Sequence, residues 1–129
     1  KKLLVMNTHF DHAGSLSRTY SADLVVQVAR QLQQGMPLLF MGDLNCTPDE
    51  YPHQIFSGAG WFDARNTAGN LSGVVGTFPD FDGKRPEKRI DYVYYQGLEA
   101  PLHYHVDGPP VRTPPFASDH LPVFVRFRW

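Results

Sequence analysis

The sequence predicts an α/β (α+β) fold in which helices flank a mixed sheet. Two short apolar runs, at residues 3–8 and 37–41, have the length and composition of buried strands. Between them, residues 18–34 carry apolar side chains at steps of three and four, which is the period of an amphipathic helix. Residues 89–95 and 123–127 alternate in polarity and are rich in aromatic or β-branched types, as strands are. A strand–helix–strand unit followed by further strands predicts parallel and antiparallel pairing together.

The helix between the first two strands has a predicted core face and a predicted end. The apolar positions expected to face the core are Tyr20, Leu24, Val25, Val28, Ala29 and Leu32. Gly35 and Pro37 follow, and glycine with a nearby proline commonly ends a helix.

Regular structure becomes sparser after the second strand. We expect a short helix at residues 51–57, capped by Thr47 or Asp49, and a strand at residues 102–106. Residues 71–76 suit either a loop or an edge strand. Residues 78–88 and the proline-rich residues 108–115 are expected to form loops.

Length and composition exclude several classes of protein. At 129 residues the chain has the size of one domain, and its formal charge of −1 excludes a global positive field for nucleic acid or anionic membranes. No apolar run approaches the ~20 residues of a membrane span. The run at residues 3–6 is too short for a signal peptide, so we expect a soluble protein and leave its location open. Cys46 is the single cysteine, which excludes an internal disulfide and favours a packing role.

Polar segments that suit phosphoester chemistry lie at the ends of the apolar runs or beside them. They are Asn7-Thr8-His9, Asp43-Leu44-Asn45, Arg89-Ile90-Asp91-Tyr92 and Ser118-Asp119-His120. A carboxylate can orient or deprotonate water while a neighbouring amide donates to a phosphate oxygen, as Asp43 and Asn45 would. Asp119 offers the ligand type that magnesium prefers, and His120 can protonate a leaving group. Asp91 is costly to bury alone, so we expect it to pair with His120.

Each segment also has a simpler interpretation. Asp43 and Asn45 are residue types that often form turns, as is the Ser-Asp pair at residues 118–119. His9 suits a packing role, and Asp91 has an alternative partner in the adjacent arginine. The basic residues that precede Asp91 fit either a solvated loop or a patch that steers phosphate; they are Lys84, Arg85, Lys88 and Arg89.

Taken together and in order, these segments resemble the motifs of the endonuclease/exonuclease/phosphatase superfamily, over residues 3–127. The resemblance implies a four-layer α/β/β/α sandwich and a hydrolase that cleaves a phosphodiester or phosphomonoester with Mg²⁺, or alternatively Mn²⁺. It implies metal contacts for Asp43 and Asp119. The residues that it places in catalysis are His9, Asp43, Asn45, Asp91 and His120.

The sequence also departs from the superfamily pattern. The resemblance implies an asparagine and a metal-binding glutamate on earlier strands, and no residue here matches those motifs. Residues 1–129 are therefore expected to be the C-terminal half of the domain without its N-terminal half, and the activity of this fragment alone stays open. A half-sandwich would leave an apolar sheet face uncovered, with Val5, Leu39, Val93 and Val125 as candidates. We accordingly expect it to pair with an N-terminal half-domain or a second copy.

The substrate and two other functions also stay open. Phosphorylated candidates are a nucleic acid, a phosphosugar and a phospholipid head group. Without the glutamate, a non-catalytic module that binds phosphate or a partner is an alternative. Residues 7–12 also resemble the end of the zinc motif of metallo-β-lactamase-like hydrolases, although Asn7 replaces its first histidine.

Overall fold

The computed structural model describes residues 1–79, 88–108 and 118–129. Most of the two predicted loops, including Lys84 and Arg85, lies outside these ranges. The helices are α1 (Ser15–Gln33), α2 (Pro52–Gly58) and α3 (Ala64–Thr67). The strands are β1 (Leu4–His9), β2 (Leu38–Asp43), β3 (Phe62–Asp63), β4 (Leu71–Gly73), β5 (Asp91–Gln96), β6 (His103–Val106) and β7 (Val123–Arg126).

The first sheet has the strand order β1-β2-β5-β3. β1 and β2 are parallel, as expected for strands joined through a helix, whereas β5 is antiparallel to both β2 and β3. β1 is less buried than predicted, because it pairs only with β2 in the described ranges and its residues alternate between half-buried and exposed. The predicted mixed sheet is therefore confirmed, with β1 at its edge.

A second mixed sheet comes from the same chain and has the order β4-β6-β7. The segment that suited a loop or an edge strand is thus an edge strand, β4. The two sheets share a hydrophobic cluster built around Tyr95 from the first sheet and Tyr104 and Val106 from the second. Sheet packing of this kind places apolar side chains from both inner faces in one core.

This second sheet corrects the prediction of an uncovered sheet face. Leu39, Val93 and Val125 pack against the cluster between the sheets, so for these three residues the prediction is wrong. Val5, on the edge strand, is 53% exposed. Within the described ranges, the second sheet covers Leu39 and Val93 of β2 and β5, whereas Val5 of β1 stays exposed.

Helix α1 is present as predicted, but its predicted core face is only partly right, because Ala29 is buried and Val25 packs against the core whereas other predicted positions are exposed. Ala22, Val26 and Ala29 are buried against the sheet, whereas Tyr20, Leu24 and Leu32 are each more than half exposed. Both sets of positions have helical spacing, so periodicity alone cannot choose between them. The buried face of α1 joins the core cluster that contains Phe40 of β2 and Phe56 of α2. The helix ends at a left-handed Gln34, followed by Gly35 at φ +80°.

An aromatic core fills the space between the helices and the first sheet. Phe56 stacks on Trp61 at 5.4 Å between ring centroids and lies 5.2 Å from Phe40 of β2. The predicted caps of α2 are not used, because Tyr51 occupies the cap position and makes no side-chain cap hydrogen bond. Cys46 is fully buried, as expected for a packing residue.

A buried ion pair fixes the start of β5 to two elements that the sequence did not predict, β3 and α3. The Arg89 guanidinium donates to both carboxylate oxygens of Asp63, and the side chains are 5% and 8% exposed. Asp63 also caps α3 by accepting from the Arg65 backbone N–H. Arg89 therefore neither steers phosphate nor pairs with Asp91, contrary to two of the sequence interpretations.

No helix in the described ranges is long and apolar enough to cross a membrane.

We expect Arg89→Met to destabilise the chain strongly, because it leaves the Asp63 carboxylate buried without its cation. Removing one partner of a buried ion pair typically lowers the free energy of unfolding by about 3–5 kcal/mol. Urea unfolding measures the loss, with Arg126→Met on exposed β7 as the control. Adding Asp63→Asn should recover part of the stability, since it removes the charge and keeps an oxygen to cap α3. A loss below about 1 kcal/mol, the range of an exposed pair, would contradict this role.

Candidate active site

Strand register brings the predicted polar groups together at one end of the first sheet. Asp43, the last residue of β2, is in register with His9 on one side and Asp91 on the other. Side chains at paired positions on one face of a sheet are close neighbours. Three segments distant in sequence therefore meet around the Asp43 carboxylate.

The turn after β2 places Asn45 beside this carboxylate. Asp43 Oδ1 accepts from the Asn45 backbone N–H at 2.8 Å, and Asn45 has a left-handed φ of 47°. The Asn45 side-chain Nδ2 donates to the Phe10 carbonyl at 2.9 Å and contacts His9 Nε2 at 3.0 Å. Asp43 and Asn45 therefore form a turn, as the simpler interpretation proposed, and this turn aims both side chains at the same place.

His9 faces two partners with opposite hydrogen-bonding capacity. Its Nε2 lies 3.0 Å from the Asn45 amide nitrogen and 3.2 Å from Asp43 Oδ2. A bare Nε2 can accept from the amide, and a protonated Nε2 can donate to the carboxylate. The ring is 71% exposed, so it keeps access to a ligand and is not a packing residue.

Asp91 and His120 make the contact expected for an orienting pair. His120 Nδ1 lies 2.8 Å from Asp91 Oδ2, a distance at which an Nδ1–H can donate to the carboxylate. His120 Nε2 lies 3.6 Å from Asp43 Oδ2. In the described part of the chain, Asp43, Asp91 and His120 form the one group of three acidic or histidine side chains whose ligand atoms lie within 4.8 Å of one another.

Thr77 is a contact of this group that the sequence analysis missed. It is fully buried, and its hydroxyl accepts from the backbone N–H groups of Ile90 and Asp91, both at 3.1 Å. Its carbonyl accepts from the Leu121 N–H, directly after His120. Thr77 lies in a segment without strand or helix periodicity, so no sequence signal pointed to it.

The pKa of the Asp91 carboxyl is raised above its ordinary value. Burial is the largest cause, and the nearby Asp43 carboxylate acts in the same direction. Hydrogen bonds from Thr77 and His120 oppose the rise without cancelling it. The site therefore holds two acids face to face, an arrangement that disfavours the doubly ionised state.

The remaining predicted residues lie at the margin of the site. Asp119 is half-buried beside His120 and is not part of the group of three ligand-spaced side chains, so its metal contact stays a prediction. Asp11 accepts from the N–H groups of Ala13 and Gly14 and so shapes its own loop. His12 is 86% exposed. The zinc motif suggested for residues 7–12 is not supported, because His9 turns to Asp43 and Asn45 while Asp11 and His12 do not.

A cleft of about 230 Å³ opens beside the site. Its lining includes the polar residues Asn7 and Asp91 and the apolar residues Leu121 and Val123. The Asn7 side chain is on the same exposed face of β1 as His9, two residues away. The cleft provides space for a ligand next to the carboxylates.

The donor set fits a hard divalent cation. The Asp43 and Asp91 carboxylates face each other, and the pKa of Asp91 is raised chiefly by burial and to a smaller extent by Asp43. A cation between the two carboxylates would relieve their repulsion. Mg²⁺ is commonly bound by one or two carboxylates, with water and substrate phosphate completing its shell. The oxygen donors here suit Mg²⁺ or Mn²⁺ rather than a thiolate-preferring metal.

A family model and several solved structures are similar to this chain. The family model described as Endonuclease/Exonuclease/phosphatase family matches residues 4–120. A mannosyl-6-phosphatase from Bacteroides thetaiotaomicron is similar in structure, with a TM-score of 0.81 and 28% identity over 95% of this chain and 50% of that chain. A second family protein from the same organism has a TM-score of 0.79 and 29% identity, covering 92% of this chain and 47% of that one.

An endonuclease/exonuclease/phosphatase from Bacteroides vulgatus is also similar in structure. Its TM-score is 0.79, with 26% identity over 91% of this chain and 46% of that chain. The chain thus spans about half the length of these solved structures. No curated protein matches it in sequence.

We expect Thr77→Val to raise the pKa of Asp91 further, because it removes a hydrogen bond that stabilises the carboxylate. The ¹³C NMR titration of the Asp91 carboxyl measures this, with Thr67→Val in α3 as a matched control. Since the folded state holds this proton more tightly than the unfolded state, the Asp91 contribution to stability falls as pH rises through the window between the ordinary pKa of about 3.9 and the raised value. An Asp91 pKa at or below the ordinary value would contradict the reading of this site.

Proposed function

The chain belongs to the endonuclease/exonuclease/phosphatase family, and on that premise we propose that its complete domain is a magnesium-dependent hydrolase of phosphodiesters or phosphomonoesters. The observation that carries the proposal is the contact network of His9, Asp43, Asn45, Asp91 and His120 at one end of the first sheet. It combines carboxylates, an amide donor and histidines at the mouth of a cleft, which are the groups that phosphoester hydrolysis requires.

The metal would be held by Asp43 and Asp119, with Mg²⁺ as the expected ion and Mn²⁺ as the alternative. The family resemblance supports these two ligands, and the facing carboxylates of Asp43 and Asp91 support a cation at this place. When bound, such an ion neutralises charge that develops on the phosphoryl oxygens.

The side chains around the metal have separate roles in the hydrolysis. Asp43 orients or deprotonates the attacking water, and its low exposure of 15% strengthens its interactions there. Asn45 and His9, which contact each other beside Asp43, donate to phosphate oxygens. His120 stabilises a phosphoryl oxygen or protonates the leaving group through Nε2, because Asp91 binds Nδ1 and fixes the ring.

A phosphosugar is one substrate class that a relative supports. The Bacteroides thetaiotaomicron protein with 28% identity is a mannosyl-6-phosphatase, which acts on a phosphorylated sugar. Nucleic acid and phospholipid head groups are the other classes. Turnover of mannose 6-phosphate, a nucleotide diester and a phosphocholine ester in parallel distinguishes the three.

A non-catalytic module that binds phosphate or a partner is the second candidate. It is favoured by one fact, that the chain spans about half the length of its structural relatives. Hydrolysis of a generic phosphodiester and monoester with added magnesium, compared with phosphate binding alone, separates the two functions.

We further propose that a segment outside these 129 residues, or a second copy of the chain, covers the edge strand β1. Val5, Asn7 and His9 are exposed on one face of β1, next to the cleft. Covering them would enclose the site and exclude water from it.

Sedimentation of the isolated chain at micromolar concentrations tests this cover. We expect dimers or binding of a dye that recognises apolar surface, because the Val5 side chain is more than half exposed. Val5→Thr should reduce either signal, whereas Val75→Thr, at another exposed valine, should not. A monomer that binds no dye would contradict the proposal.

We expect His120→Ala and Asp43→Asn each to lower turnover by about two orders of magnitude or more in the full-length protein, because each removes a group that acts on the reacting atoms. Initial rates with magnesium and a chromogenic phosphoester measure the effect. His103→Ala on the second sheet and Asp23→Asn at an exposed position of helix α1 serve as matched controls. Rates near wild type in either site variant would refute the assignment.

A further inference from the structure

Arg18 is the one charged side chain buried on the sheet-facing side of α1 in the described ranges. It is 8% exposed and shares that side of the helix with Ala22, Val26 and Ala29. A buried cation needs partners that compensate for its lost hydration. The partners of Arg18 are not in the sheet; they lie in two loops.

One loop follows β1 and the other follows β2. Arg18 Nη1 donates to the carbonyls of Asp11 and His12, at 3.3 and 3.5 Å. Arg18 Nη2 donates to Glu50 Oε1 at 2.7 Å. The planar guanidinium can serve both loops at once because its donors diverge in a fixed fork, which an ammonium group does not offer.

Glu50 connects Arg18 to the turn after β2. Its second oxygen accepts from the Thr47 backbone N–H at 2.7 Å, and Thr47 is two residues from Asn45. Burial raises the pKa of the Glu50 carboxyl, but hydrogen bonds from Arg18 and Thr47 outweigh this and the pKa is lowered. The carboxylate is therefore ionised and bridges Arg18 to the loop at neutral pH.

The two loops meet again at the site itself. Asn45 Nδ2 donates to the carbonyl of Phe10, the residue before the Asp11 carbonyl that Arg18 holds. The Phe10 N–H in turn donates to the Asp43 carbonyl at 2.9 Å. The hydrogen bonds of Arg18 go to Asp11 and His12, which follow His9, and to Glu50, which in turn binds the Thr47 N–H two residues after Asn45.

We propose that Arg18 is a positioning residue that sets the distance between His9 and Asn45 by joining the two loops that carry them. The role in catalysis rests on the proposed function, whereas the link between the loops does not. A shift of about 1 Å in a catalytic group can lower a rate by about two orders of magnitude. A side chain far from the reacting atoms can thus control the reaction through these loops.

The side-chain amide of Asn45 provides a readout that does not depend on activity. In ¹H–¹⁵N spectra of the full chain, Arg18→Met should move the Asn45 Nδ2 signals, assigned with Asn45→Asp, and speed hydrogen exchange at the Thr47 N–H by about tenfold or more. Arg30→Met, at an exposed arginine of the same helix, should change neither. If Arg18→Met does not fold, Glu50→Gln gives the same test, since it removes the charge from a half-exposed partner and should shift the same signals.

The kinetic arm uses the full-length protein. We expect Arg18→Met or Glu50→Gln to lower kcat by about 10–100-fold with KM changed by less than about threefold, because the catalytic groups are misplaced and not removed. Unchanged Asn45 signals in a folded Arg18→Met or Glu50→Gln variant would overturn the link. Shifted signals with an unchanged kcat would overturn the positioning role, and a wild-type protein without hydrolysis would refute the proposed function while the spectra still decide the link.

Discussion

The register of β2 between β1 and β5 is the constraint on which the candidate site depends. It sets Asp43 opposite both His9 and Asp91. A slip of one residue would turn Asp43 to the other face of the sheet and separate all three. Gly42 is required at this register, because its φ is +148° and a Cβ there would lie 1.8 Å from the Thr8 carbonyl oxygen. Strand β1 can therefore approach β2 at this point because position 42 has no side chain.

The same register concentrates negative charge, which the surrounding structure compensates only in part. Asp43 and Asp91 face each other, and burial with mutual repulsion raises the pKa of Asp91. Thr77 and His120 offset some of this through hydrogen bonds. Ionisable groups with shifted pKa values are frequent where a protein binds a cation or performs acid–base chemistry. The stabilising pairs, such as Arg89 with Asp63, lie elsewhere in the fold.

Two different kinds of support hold the site residues. The carboxylates are on paired strands, where backbone hydrogen bonds define their positions. Asn45 is on a turn and His9 lies at the last residue of an edge strand, so their positions depend on the loops that follow them. Arg18 and Glu50 connect those loops to helix α1, which the sheet already anchors through Ala22 and Val26. The helix thereby restrains the loops that position Asn45 and His9, which are the least constrained residues of the site.

The sequence by itself determined the longer regular elements and the groups that could do chemistry. Periods of two and of 3.6, together with local stops such as Gly35, are properties of a few neighbouring residues, so the main strands and α1 could be predicted. The chemical types of Asp43, Asn45, Asp91 and His120 are also visible without coordinates, as is the need of Asp91 for a partner.

Only the tertiary structure decided which of several compatible partners each residue takes. Arg89 could pair with Asp91 or with another acid, and Asp63, distant in sequence, binds it. Helix α1 has two overlapping apolar stripes, and core packing buries the one that contains Ala22, Val26 and Ala29. Thr77 has no local signal because its role depends on strands that meet around it. Backbone preferences depend on single residues and their neighbours, so the sequence shows them directly. Strand register and the choice of side-chain partners depend on how the whole chain buries its side chains, and a short segment does not determine them.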